Sequence, residues 1–79
     1  MSEIKQKVEL VLKEIENKIE DWRKEEIKTL NEMEKDKEKE DFFGVGIDGF
    51  YLWAIRLILS ELLEVKQSVE KAFSRVIEE

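Results

Sequence analysis

Residues 50–63 read FYLWAIRLILSELL, apolar on nearly every side. From there Tyr51, Ile55, Ile58, Leu62, Val65, Val69, Ala72 and Val76 follow one another in steps of four and three. That rhythm is the seam of a helix packed lengthwise on others. Phe50, Trp53, Leu57 and Leu63 fall off the seam, and a second apolar face calls for a second partner. Upstream, Ile4, Val8, Val11, Ile15, Ile19, Trp22, Leu30 and Met33 recur with matches at eleven-residue intervals. Eleven residues in three turns predict a helix that runs nearly straight or slightly right-handed. Glu26 breaks the pattern, with Ile27 beside it. Glu3–Lys7, Glu9–Lys13, Glu14–Lys18 and Glu20–Lys24 stand in the favourable i,i+4 order and reinforce the outer face.

The chain has no proline, so its strongest punctuation is DFFGVGIDG at 41–49. The pattern predicts an all-α fold, an antiparallel two-helix hairpin occupying residues 1–79 as one domain. Its first helix spans about 3–41, a glycine turn 42–48, and its second helix about 49–78. Ser2 is the expected cap of the first helix. Asp48 is the expected cap of the second, with Ile47 and Leu52 placed as a hydrophobic staple. Gly44 or Gly46 supplies a left-handed residue to close the first helix. The stretch EKDKEKED at 34–41 has no apolar residue; it is expected to be helical but easily frayed.

Folding that hairpin brings Ile58 opposite Met33, Val69 opposite Trp22 and Val76 opposite Ile15. Residues 50–57 then lie against EKDKEKED, while Ile4, Val8, Val11 and Leu12 project past the end of the second helix. A two-fold homodimer forming a four-helix bundle would cover both. The expected oligomer or partner interface is Ile4, Val8, Val11, Phe50, Trp53, Leu57, Ile58 and Leu62. Size points the same way: 79 residues support only a marginal core. With no cysteine and no histidine, disulfides are excluded and zinc is disfavoured, which leaves oligomerisation as the stabiliser.

Charged residues make up 43% of the chain and the net charge is −6. The Lys/Glu enrichment resembles that of proteins from hot habitats. An acidic balance disfavours a nucleic-acid backbone as partner and an anionic membrane surface equally. MSEIKQ lacks the apolar core of a signal peptide, and the most apolar stretch, 42–63, carries Asp48, Arg56 and Glu61. No stable membrane insertion and a cytoplasmic location are therefore expected.

Candidate chemistry is sparse. Gly44-Val45-Gly46-Ile47-Asp48-Gly49 matches G-x-G-x-x-G, but a nucleotide fingerprint needs a preceding strand inside a βαβ unit. Glu61 with Glu64, or Glu25 with Glu26, are the acidic pairs a hard cation would use, but such pairs are common at this charge density, and no cofactor or metal is expected. There is no Cys–His or Ser–His pair for nucleophilic catalysis, so the chain is expected not to be an enzyme. In outline it resembles the small helical hairpins of the WXG100 family. Phe42-Phe43-Gly44 stands where that family has W-x-G, so the likeness is one of architecture alone. The expected function is that of a homo-oligomeric scaffold, adaptor or small regulatory subunit, with a protein partner at the turn end, 42–57. The alternative is a small acidic inhibitor that blocks a basic site on a partner protein.

Overall fold

Two helices of equal length account for nearly all of the chain: α1 (Ser2–Glu38) and α2 (Phe42–Glu78), each 37 residues. The computed structural model describes residues 2–78 and the side-chain surroundings of residues 3–75. The capping role expected of Ser2 and the seam position expected of Val76 therefore lie outside the described side chains. The helices pack against each other as an antiparallel hairpin measuring 59 × 15 × 11 Å.

The turn lies earlier than the glycines. Helix α1 ends in a Schellman arrangement: the Glu40 N–H donates to the Lys37 carbonyl (3.1 Å) and the Asp41 N–H to the Asp36 carbonyl (2.9 Å). The left-handed position is taken by Glu40 (φ 57°), and no glycine among the described residues has positive φ. Asp41 then opens α2, its Oδ1 accepting the Gly44 N–H at 3.0 Å. The glycine turn expected at 42–48 is thus the first two turns of α2, and Asp48 is an interior residue rather than its cap. A single well-placed aspartate three residues before Gly44 is enough to start the helix there.

Moving the turn resets the register. Glu26 meets Arg56, Glu16 meets Lys66, and Met33 meets Gly49; in each pair the residue numbers total 82. The expected alignment of Met33 with Ile58 is therefore off by nine residues. Residues 50–57 lie level with 25–32, not with EKDKEKED. Ile4 lies level with the end of α2, so the expected overhang of Ile4, Val8, Val11 and Leu12 does not exist.

Both inner seams follow a strict heptad. On α1 the buried and half-buried positions are Val8, Leu12, Ile15, Ile19, Trp22, Glu26, Thr29, Met33 and Asp36. This is a 3.5-residue period in place of the expected 3.67, and it implies a gentle left-handed coil. On α2 the line runs Val45, Asp48, Leu52, Ile55, Leu59, Leu62, Lys66, Val69 and Phe73. Ile55, Leu62 and Val69 were expected there, but Tyr51, Val65 and Ala72 are exposed. The core is small: Ile19, Ile55 and Leu59 are buried together, with Ile15, Trp22 and Leu62 packed against them. Three polar seam positions, Glu26, Thr29 and Lys66, find partners. Thr29 Oγ1 donates to the Glu25 carbonyl at 2.8 Å, Arg56 Nε to Glu26 at 3.2 Å, and Lys66 reaches both Glu16 (3.4 Å) and Glu70 (3.9 Å).

Candidate interaction surface

Two helices can enclose only a narrow line of side chains, and α2 carries more apolar residues than that line holds. Phe42, Phe43, Phe50, Tyr51 and Trp53 remain 61–81% exposed. At roughly 200 Å² per aromatic side chain, these five alone leave about 700 Å² open to solvent. Ile47 and Leu57, also exposed, extend the same end of α2. Phe50 and Trp53 contact each other with ring centroids 5.9 Å apart at a tilt of 39°. Phe42, Phe43, Gly46, Ile47, Phe50 and Tyr51 line a shallow depression of about 350 Å³. Gly46 forms part of its floor because no side chain rises from it.

The whole molecule shows the same surplus. Its accessible surface is 6521 Å², against about 5,000 Å² for a compact monomer of this mass. Its radius of gyration is 17.9 Å, against about 12 Å for a compact domain of this length. Among the described residues no side chain is completely enclosed.

The residues expected at an interface separate into two groups. Phe50, Trp53 and Leu57 are exposed together near the turn end, and Ile4 and Val11 are exposed near the other end. Val8, Ile58 and Leu62 are half-buried within the hairpin, with Leu62 against the core. The eleven-residue spacing placed Ile4, Val8 and Val11 on one stripe. The heptad places Val8 inside and turns Ile4 and Val11 outward. Helix α2 is also long and apolar enough to cross a membrane by length and composition, with 22% of its most apolar window buried in the hairpin.

Beneath the aromatic end lies a group of acids that pattern reading passed over. Asp48 is only 8% exposed, and its Oδ2 has no hydrogen-bond partner. It faces Asp36 and Glu32 of α1 and Asp41 of the turn. A hydrogen bond to Asp36 available only to protonated Asp48, then burial, then the charges of Asp36, Glu32 and Asp41 push its carboxyl up to about 6 from an ordinary 3.8. The crowding extends to Gly44, where a β-carbon would stand 2.6 Å from Asp41 Oδ2 and 2.8 Å from Asp36 Oδ2. Among the described residues no lysine or arginine forms an ion pair with Asp36, Asp41 or Asp48. No group of three or more acids among them is arranged to hold a metal ion. The signal for this cluster was in the sequence: Asp36, Asp41 and Asp48 fall at heptad and capping positions once the turn is placed at residues 39–41.

The G-x-G-x-x-G segment lies within α2, where its backbone N–H groups beyond the first turn are committed to helical bonds and form no phosphate cradle. No known protein family, no curated protein and no solved structure matches this chain.

Proposed function

We propose that this protein is a non-enzymatic helical scaffold, adaptor or small regulatory subunit. Its hairpins pair through the outer face of α2 into a four-helix bundle. The observation that carries the reading is the exposed aromatic surface of residues 42–57. It exceeds the 300–600 Å² of the largest patch on an ordinary monomer and approaches the roughly 800 Å² that each partner contributes to a stable interface. Packing two such faces together would give α2 the second neighbour its two apolar sides require. In the working protein the remaining ends of the bundle would be free to hold a further protein partner. Any aromatic side chain that pairing leaves uncovered at the turn end would suit that role.

Sedimentation equilibrium tests the pairing. Wild-type protein is expected to be dimeric at low micromolar concentration. The double substitution Trp53→Glu, Leu57→Glu should yield soluble monomers that keep their helical circular dichroism, because both side chains lie outside the hairpin core. A wild-type chain that remains monomeric at about 100 μM refutes the pairing. Membrane association is the competing use of the same face, and the length and apolarity of α2 favour considering it. Flotation with neutral liposomes of a chain that does not dimerise would select it. If a partner protein is captured, affinity that collapses with added salt would favour the acidic-inhibitor alternative over an apolar contact.

A further inference from the structure

We propose that residues 42–48 are a proton-controlled helix start. When Asp48 holds a proton that it can donate to Asp36, these residues extend α2 to Phe42. When Asp48 is ionised, they unwind and α2 begins again at Asp48. The device belongs to the unpaired hairpin, because pairing through the proposed face would cover Phe42, Phe43 and Ile47.

The extended start is intrinsically weak. Gly44, Gly46 and Gly49 stand within or beside the first two turns, and each is a poorer helix former than alanine. Phe42, Phe43 and Ile47 project to solvent, and so give the segment little packing. What turns toward α1 is Asp48, buried with an Oδ2 that has no hydrogen-bond partner, one helical turn after Gly44, where Asp36 Oδ2 of α1 would stand 2.8 Å from a β-carbon. With one proton between them, the Asp48 hydroxyl donates to the Asp36 carboxylate and joins the two helices. Without it, two carboxylates face each other beside Glu32 of α1 and Asp41 of the turn, and α2 presents no basic group to offset them. Lys37 of α1 is committed to Glu34 at 3.7 Å.

The unwound alternative is also written in the sequence. Ionised Asp48 is a good N-cap, its carboxylate accepting the N–H groups of the following turn, and Ile47 and Leu52 have staple spacing around it. The same carboxyl that opposes the extended helix when charged can therefore cap the shortened one. The sign follows directly. The extended state binds the extra proton, so it is favoured at low pH and loses ground as pH rises through the window between the ordinary carboxylate value and the raised one. Each pKa unit between the two states shifts the balance tenfold.

The test is amide exchange and ¹³Cα chemical shift on the full chain, with exchange expressed as protection factors to remove intrinsic pH dependence. Residues 42–48 are expected to show helical shifts at about pH 5. At about pH 7.5, Gly46, Ile47, Asp48 and Gly49 should show up to about tenfold lower protection. Asp48→Asn, which can donate to Asp36 at any pH, should hold the segment helical at both values. Asp36→Asn, donating in the other direction, should also abolish the pH response. Wild-type shifts and protection that do not change across this range overturn the proposal. So does a pH response in both variants equal to that of wild type.

Discussion

Gly46→Ala isolates the claim that α2 begins at Phe42. Gly46 lies in helical backbone without positive φ, and a β-carbon there would meet nothing within 4 Å. The substitution therefore adds helix propensity with no steric penalty, a gain of about 0.8–1.0 kcal/mol. For a chain of this size that raises Tm by about 4–8 °C. The assay is thermal unfolding followed by circular dichroism at about pH 5, where Asp48 retains its proton. Association makes Tm depend on protein concentration, so the melt is repeated across a dilution series and the sign must hold throughout. Were Gly46 instead the left-handed residue of a turn, alanine would cost about 1–2 kcal/mol, and the shift would reverse. A neutral or lowered Tm refutes the assigned helix start. Gly44→Ala is the internal contrast. Its β-carbon would displace Asp41 from the N–H it caps, losing about 1 kcal/mol and cancelling the propensity gain, so no stabilisation is expected.

Two further substitutions probe the turn and the core. Glu40 occupies the left-handed position that ends α1, so Glu40→Gly should stabilise the hairpin by about 1 kcal/mol in urea denaturation; a loss of stability would show that the Glu40 side chain contributes more than its backbone strain costs. Ile55 is the most buried apolar residue among those described, 3% exposed, and Ile55→Ala should cost about 2–4 kcal/mol. A midpoint in urea unchanged from wild type would mean that the three-residue core does not hold the hairpin together.

The hairpin itself was legible because apolar residues recur at helical spacing on both sides of one interruption. Ile15, Ile19, Trp22, Ile55, Leu62 and Val69 were correctly assigned to the inside on that ground. The seam's other members were hidden because they are polar. Glu26 reads as a break, Thr29 and Asp36 as surface, and Lys66 as a solvated charge, although all four keep the heptad. Asp48 was noticed, but as a cap. The glycines misled for a physical reason. Three of them in six residues favour a turn by conformational freedom, yet a short capping aspartate and a Schellman closure at Glu40 let the backbone turn earlier. The nine-residue change in register followed from that single misplacement. The exposed aromatic end survived it, since composition alone makes α2 too apolar for one neighbour. Its acidic underside could be recognised only after Asp36 and Asp48 had been brought face to face.

The polar members of the two seams reinforce the alignment that the turn sets. Apolar heptads are nearly interchangeable, and two helices held by Ile and Leu alone could slip by seven residues at modest cost. Here Arg56 finds Glu26 and Lys66 finds Glu16 at the same offset, so slippage in either direction parts both couples at once and strands a half-buried Glu26, while Lys66 keeps only Glu70 of its own helix. Charged side chains in so thin an interior thus act as graduations on a ruler, fixing one setting where the grease between them would allow several.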